Sequence, residues 1–330
     1  MKKLSYILFG VAALGLASCS NEEALSNGNN GGTANVTISI DIPQIATRSY
    51  SDGKTATQLQ YAVYYVNADG SLSILPAHTH STAAGAANGA ESINLEKQVA
   101  FQLVTGRSYG FVFWASKADA PYNVTFSESG ASLNVDYTSP KITANNEALD
   151  AFYVYKSIKV EGDTQETFIL NRPFAQINVG ASDMNEALKS GFTAGNSHIK
   201  VSDVYGSLNL INGEVTNKQQ NGVDFTYAAI PAKYDATAQT GEKFPVDGYD
   251  YLAMAYVLVP KEQQTVEITF DATDANSREN AASRNVGSVP VQGNYRTNIY
   301  GKLFTSKVDV NVKIEPNYID PDYTKDLDNQ

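Results

Sequence analysis

Two segments near opposite ends of the chain alternate strictly between apolar and polar residues. They are Val36-Thr-Ile-Ser-Ile-Asp-Ile42 and Val308-Asp-Val-Asn-Val-Lys-Ile314. Successive side chains of a strand point to opposite faces, so the pattern predicts two β-strands with one apolar face each. The first face comprises Val36, Ile38, Ile40 and Ile42, and the second comprises Val308, Val310, Val312 and Ile314. Either strand could fill the same groove, although both could equally be ordinary strands of one sandwich.

The rest of the chain consists of short alternating, β-branched or aromatic runs broken by Gly, Asn, Asp and Pro, which is typical of β-sandwiches. Asn67-Ala-Asp-Gly70 reads as a hairpin turn, and Asp183–Lys189 reads as a short helix with Ser182 as a possible N-cap. Roughly 280 folded residues exceed what one sandwich usually holds. We therefore expect an all-β protein with two β-sandwich domains in tandem, at residues 36–170 and 171–314, followed by a polar tail at 315–330.

The N-terminus predicts a signal peptide over residues 1–18. Lys2 and Lys3 precede an uncharged apolar run, Leu4–Leu16, that is shorter than the roughly 20 residues a membrane-spanning helix needs. The run ends in Leu16-Ala-Ser-Cys19, which resembles the lipobox of bacterial lipoproteins, whose cysteine is acylated. Cys19 is the single cysteine of the chain, so it forms no intrachain disulfide. An ordinary secreted protein with a cysteine at its cleavage site is the alternative.

Residues 19–35 are rich in Ser, Asn, Gly and Glu and predict a flexible tether. Within this tether, Ser20-Asn-Glu-Glu23 resembles the acidic signal that directs lipoproteins of Bacteroides-like bacteria to the outer face of the outer membrane. These features together predict an exported, lipid-anchored surface protein.

Composition and motifs argue against several functions. The formal net charge is −11, and the arginines are scattered along the chain, so nucleic acid is not an expected partner. The three histidines are His78, His80 and His198, of which the first two lie in a small-residue loop and are expected to be solvated. No nucleophile elbow, P-loop or dinucleotide fingerprint occurs. We expect no enzymatic activity, metal or cofactor, although a glycosidase with two carboxylates stays open.

Arg48 lies in Ala46-Thr-Arg48-Ser49, directly after the first alternating segment, and no other arginine precedes Arg107. A trypsin-like protease that cuts between Arg48 and Ser49 would release residues 36–48 and, with them, one strand.

Several motifs together resemble the fimbrillin, or type V pilin, family of Bacteroidales. Besides the lipobox and the arginine site they are Leu170-Asn-Arg-Pro-Phe-Ala-Gln-Ile177, Tyr256-Val-Leu-Val-Pro260 and Tyr295-Arg-Thr-Asn-Ile-Tyr300. The family usually has Lys where Gln176 stands, and its late Arg-Asn pair is split here by Thr297.

The resemblance implies a palmitate-bearing precursor with transthyretin-like sandwiches, cleaved at Arg48 by an Arg-specific protease and assembled into a fimbrium that functions in cell adhesion. Val36–Ile42 would be the displaced strand, and Val308–Ile314 of the next copy, or of a related pilin, would be the donor strand. Implied partners also include the outer membrane and host or bacterial surface ligands. A surface glycan-binding lipoprotein is the alternative function.

Overall fold

The computed structural model describes residues 32–42, 50, 53–82, 88–89, 91–92, 97–238, 240–276, 280–305 and 310–316. Within these ranges the protein is nearly all β, as predicted. Its helical parts are one α-helix, α1 (Met184–Lys189), and two 3₁₀ helices, Pro76–His78 and Glu147–Leu149. None of the helical segments in this described part has the length and hydrophobicity that a bilayer crossing requires.

The strands are mostly short and follow one another closely along the chain. In chain order they are β1 (Thr33–Asp41), β2 (Gln58–Val66), β3 (Leu72–Ile74), β4 (Glu91–Ser92), β5 (Gln98–Val104), β6 (Arg107–Ser116), β7 (Tyr122–Ser127), β8 (Gly130–Val135), β9 (Ala151–Val160), β10 (Thr164–Ile169), β11 (Phe174–Ala181), β12 (Ala194–Val201), β13 (Tyr205–Asn209), β14 (Val215–Lys218), β15 (Val223–Ala229), β16 (Asp250–Leu258), β17 (Gln264–Asp274), β18 (Asn280–Val291), β19 (Tyr295–Gly301) and β20 (Val310–Pro316).

The first half of the described chain builds a sandwich of two sheets. One has the order β10-β1-β5, and the other has the order β3-β2-β6-β9 with β4 beside β2. Alternate residues of both sheets form one hydrophobic cluster that includes Ile38, Phe101, Phe111, Phe152 and Phe168. Trp114 is fully buried on the opposite face of β6, in the larger cluster, which agrees with its predicted packing role.

The second half builds two four-stranded sheets, β16-β11-β19-β20 and β15-β12-β17-β18. A third sheet, β14-β13-β8-β7, joins strands from both halves. Residues before and after Asn171 likewise share the larger hydrophobic cluster. The division into two domains at Asn171 therefore stays a prediction.

Two local predictions can be compared with the structure. Asn67–Gly70 does connect a hairpin, β2 and β3, and Gly70 has the positive φ of 83° that the turn needs. The predicted helix forms, but Asp183 rather than Ser182 is its N-cap residue. The side chain of Asp183 makes no capping bond to its own helix; its carboxylate instead accepts hydrogen bonds from the backbone N–H groups of Leu303, Phe304 and Thr305 at 2.7–3.0 Å.

Candidate functional site

β1 is the central strand of its sheet. It pairs parallel with β10, from Val36 opposite Thr164 to Asp41 opposite Ile169, and antiparallel with β5, from Thr33 opposite Val104 to Ser39 opposite Gln98. Strands on both sides therefore bond the backbone of the first described strand of the chain. We call the space between β5 and β10 that this strand fills the β1 slot.

The apolar residues of the first alternating segment lie together on the buried face of the β1 slot. Val36 and Ile38 are fully buried, and Ile40 and Ile42 are nearly so. On the other face Thr37 and Ser39 are partly exposed and Asp41 is exposed. The alternation thus indicated the correct burial for this segment, while its displacement stays a prediction.

The walls and floor of the β1 slot are aromatic and aliphatic. Val36 lies opposite Phe101, Ile38 opposite Val99 and Ile40 opposite Phe168 in the ladders. Without β1, both the apolar floor and the facing edges of β5 and β10 would be open. Burial of a Val or Ile side chain contributes about 1.5–3 kcal/mol, so four of them contribute roughly 6–12 kcal/mol to holding a strand there.

The predicted donor segment forms β20, which pairs antiparallel with β19 at the end of its sheet. β20 runs to Pro316, so it includes Glu315, which the sequence analysis assigned to the tail. Val312 and Ile314 are only partly buried, and the backbone of Val310 lies opposite Gly301. The apolar face of β20 is thus less completely buried in its own sheet than that of β1.

The other face of β20 carries a cluster of buried charges that the sequence analysis missed. Glu315 and Lys313 are 1% and 4% exposed. A Glu315 carboxylate oxygen lies 3.0 Å from Nη2 of Arg296, and the other accepts a hydrogen bond from Asn298 at 2.8 Å and lies 3.2 Å from Nζ of Lys313. The row continues into β11, where Asn178 donates to Asn298 at 2.8 Å. Buried charges require such partners, because an unpaired one is costly to desolvate.

The sequence does contain a signal for this cluster of buried polar residues, but the signal can be interpreted only when the order of the strands in the sheet is known. Gln176 and Asn178 alternate with apolar residues in β11, as Arg296 and Asn298 alternate with Thr297 and Ile299 in β19. The strand register places Gln176 opposite Arg296 and Asn178 opposite Asn298. Each pair alone resembles solvent-facing residues.

The histidines of the predicted loop are half-buried against aromatic rings. The ring of His78 meets Phe101 edge-on at 5.7 Å, and that of His80 stacks on Tyr61 at 4.6 Å. Burial, with the nearby charge of His80, lowers the pKa of His78 from its ordinary value. The expectation of solvated side chains thus holds only in part, since a backbone bridge from His80 to Tyr61 joins this part of the loop to β2.

His198, on β12, lies between two carboxylates. Its Nε2 is 2.7 Å from Asp224 and its Nδ1 is 3.1 Å from Asp271. Within the described ranges no group of three or more His, Cys, Asp and Glu side chains is arranged to hold a metal ion.

Four predicted site residues, Cys19, Arg48, Ser49 and Val308, lie outside the described residues. Their roles in lipidation, cleavage and strand donation stay predictions.

A family model described as "Family of unknown function (DUF6562)" matches residues 27–329. The chain belongs to this family. None of the curated proteins matches the sequence. The expected membership of the fimbrillin family thus stays an interpretation of the motifs, because the family that matches carries no assigned function.

Solved structures that are similar to this chain include proteins of Porphyromonas gingivalis and Bacteroides thetaiotaomicron. The tip fimbrial protein Mfa3 of Porphyromonas gingivalis shares 10% identity with a TM-score of 0.44, over 86% of this chain and 100% of its own. The fimbrial anchor protein Mfa2 of the same organism shares 10% identity with a TM-score of 0.40, over 85% and 96%. An adhesin candidate from Bacteroides thetaiotaomicron shares 9% identity with a TM-score of 0.47, over 88% and 99%. At these values the likenesses assign neither a partner nor an activity to this chain.

Proposed function

We propose that the protein is a non-enzymatic structural subunit of a cell-surface fimbrium, exported as a lipoprotein and polymerised by strand exchange. The observation that carries the proposal is the position of β1, an N-terminal strand that is central in its sheet and buried along one face. A cut in the segment that follows β1 would leave this strand with no covalent link to the rest of the fold. Cleavage after Arg48 would be such a cut.

The proposed replacement is β20 of a second copy. Its alternating apolar residues match the pattern of β1, and its polar residues would take the solvent-facing positions of Thr37, Ser39 and Asp41. Main-chain hydrogen bonds from the incoming β20 to β5 and β10 would provide affinity. The apolar pockets of the β1 slot would fix the register of the incoming strand.

Proteolysis is needed in this scheme because the two strands would bury similar apolar side chains in the β1 slot. Ordering a seven-residue strand costs about 1–2 kcal/mol per residue, which is comparable with the burial gain of its apolar face. While β1 is covalently attached, its effective concentration is on the order of millimolar or more, so an incoming strand cannot compete. Cleavage at Arg48 removes that advantage.

The test is incubation of the purified protein with an Arg-specific protease, followed by mass spectrometry, size-exclusion chromatography and electron microscopy. We expect a new N-terminus at Ser49 and SDS-resistant ladders of polymer. An Arg48→Ala variant, the matched control, should stay uncut at this site and monomeric.

A second variant addresses the donor strand. Val310→Asp together with Val312→Asp would place two charges in the β1 slot of a neighbour, where an unpaired charge costs several kcal/mol. A cleaved and folded monomer without ladders is the expected product. Normal polymer from this variant, or polymer that still carries residues 36–48, would refute the mechanism; thermal melting identifies a variant that has merely unfolded.

A further inference from the structure

A cavity of about 310 Å³ opens where several of the sequence motifs meet. It is lined by Tyr153 and Tyr155 of β9, by Asn171 and Asn294, and by Gly213 and Lys261. The residues around it come from the segment that precedes β11, from the end of β16 and from the turn before β19. Its volume lies at the lower end of the range for small-ligand sites, about 300–1,000 Å³.

The frame of this cavity is held by bonds between those segments. The N–H of Arg172 donates to the side chain of Asn294 at 3.2 Å, and the N–H of Gly293 donates to the carbonyl of Pro260 at 2.8 Å. Arg172 makes a bidentate pair with Asp150 at 2.7 and 2.8 Å, and both side chains are buried. The cavity is therefore preorganised and requires little ordering when a ligand enters.

Two tyrosines form the aromatic wall of the cavity. Tyr153 and Tyr155 are alternate residues of β9 and so lie on the same face of the strand. The ring of Tyr155 lies across the backbone of Gly110, where a Cβ atom would come within 2.8 Å of it. Burial raises the pKa of the Tyr153 phenol to about 12.

Lys261 gives the cavity its charge. Its ammonium nitrogen lies 6.0 Å from the centre of the Tyr153 ring. The side chain passes directly over Gly213, where a Cβ atom would stand 2.5 Å from Cε and Nζ, so a side chain at this position would displace the ammonium. The lining contains no carboxylate, and the charge of Arg172 is balanced by Asp150. Lys261, which is exposed at the mouth of the cavity, is thus a positive charge with no carboxylate beside it among the lining residues, in a protein whose net charge is −11.

The geometry points to a binding site for an acidic saccharide, meaning a sugar unit with a carboxylate such as a uronic acid. The half-buried ring of Tyr155 can pack against the apolar C–H face of a sugar ring, the amide nitrogen of Asn171 suits hydroxyl groups, and Lys261 suits the carboxylate. This site is independent of strand exchange, since none of its lining residues belongs to β1 or β20.

The test is calorimetric titration of the full chain with α-1,4-linked digalacturonic acid and with its neutral counterpart, α-1,4-linked galactobiose. We expect the acidic disaccharide to bind at least about tenfold more tightly, as hydrogen bonds to charged groups are the stronger ones. Lys261→Gln should abolish that preference. Lys243→Gln, which removes the same charge from an exposed lysine outside the cavity, should leave it unchanged.

Gly213→Ala provides a second, geometric variant, because the added methyl group should push the Lys261 side chain away and weaken acidic binding to a similar extent. Gly213 has a φ of 78°, a conformation that strains an alanine, so the melting temperature of the Gly213→Ala variant must be measured as well. Equal binding of the two disaccharides, no binding of either, or an unchanged preference in Lys261→Gln would overturn the proposal. So would binding of a peptide of residues 317–330 in place of the acidic disaccharide.

Discussion

Arg296 and Glu315 face each other across β19 and β20, with Nη2 and Oε2 3.0 Å apart and side chains 7% and 1% exposed. Lys313 adds a second cation to the same carboxylate, at 3.2 Å. A slip of β20 by two residues would bring Lys313 opposite Arg296 and set two cations against each other. The buried pair therefore specifies the register of β20 on β19, in addition to any stability it provides.

Loss of this carboxylate should be costly. Glu315→Ala leaves Arg296 and Lys313 buried without their shared anion, so we expect the free energy of unfolding to fall by about 3–5 kcal/mol. Glu161→Ala removes a carboxylate whose side chain is 71% exposed beside Lys159, and it should leave the free energy of unfolding nearly unchanged. Urea unfolding of both variants checks the difference; similar losses would show that the buried row contributes no more than a surface pair.

The buried face of β1 should matter to the precursor and not to the assembled protein. Ile38→Asp puts a charge where the native side chain is fully buried, so the precursor should lose at least about 3 kcal/mol of stability. Ser39→Asp, on the partly exposed opposite face, is the matched control and should be nearly neutral. Thermal melting measures both. If the cleaved polymer of Ile38→Asp also melted early, β1 would still be present in the assembled form.

His78 should make the stability depend on pH. Its pKa is held below the ordinary value of 6.5 by burial and by the charge of His80, so the unfolded chain takes up a proton first as the pH falls. The contribution of the neutral ring is present above about pH 6.5 and is lost below it. Between about pH 7 and pH 5, His78→Gln should lose less stability than the wild type. Denaturation is measured at several pH values for both proteins. If the free energy of unfolding fell equally in the two between about pH 7 and pH 5, His78 would not be the source of the pH dependence.

Cys19 should be the site of lipid attachment. Cys19→Ala removes the thiol that is acylated, so we expect no incorporation of a labelled fatty acid and a precursor that the lipoprotein peptidase leaves uncut. Cys19→Ser, which keeps the size of the side chain but also lacks the thiol, should behave in the same way. Fatty-acid label that persists in either variant would remove the lipoprotein assignment.

The burial of β1 follows from its own sequence. A period of two between apolar and polar residues is a local property of a strand, so Val36, Ile38 and Ile40 could be placed on one buried face without any knowledge of their partners. The same local chemistry predicted the Asn67–Gly70 hairpin, because positive φ is a property of the turn residues themselves.

The partners of those strands were decided by the tertiary structure. The N–H of Asn35 bonds the carboxylate of Asp163, 128 residues away, and no local pattern encodes that β1 runs parallel to β10. Alternation alone places Lys313 on the polar face of its strand, and the structure buries that face, because a polar face can be buried wherever a neighbouring strand presents complementary charge. The sequence by itself therefore determined which residues of each strand share a face. Only the pairing of distant strands decided that Arg296 lies across from Glu315 and that Lys261 lies over Tyr153, since contacts between strands depend on sheet order and register.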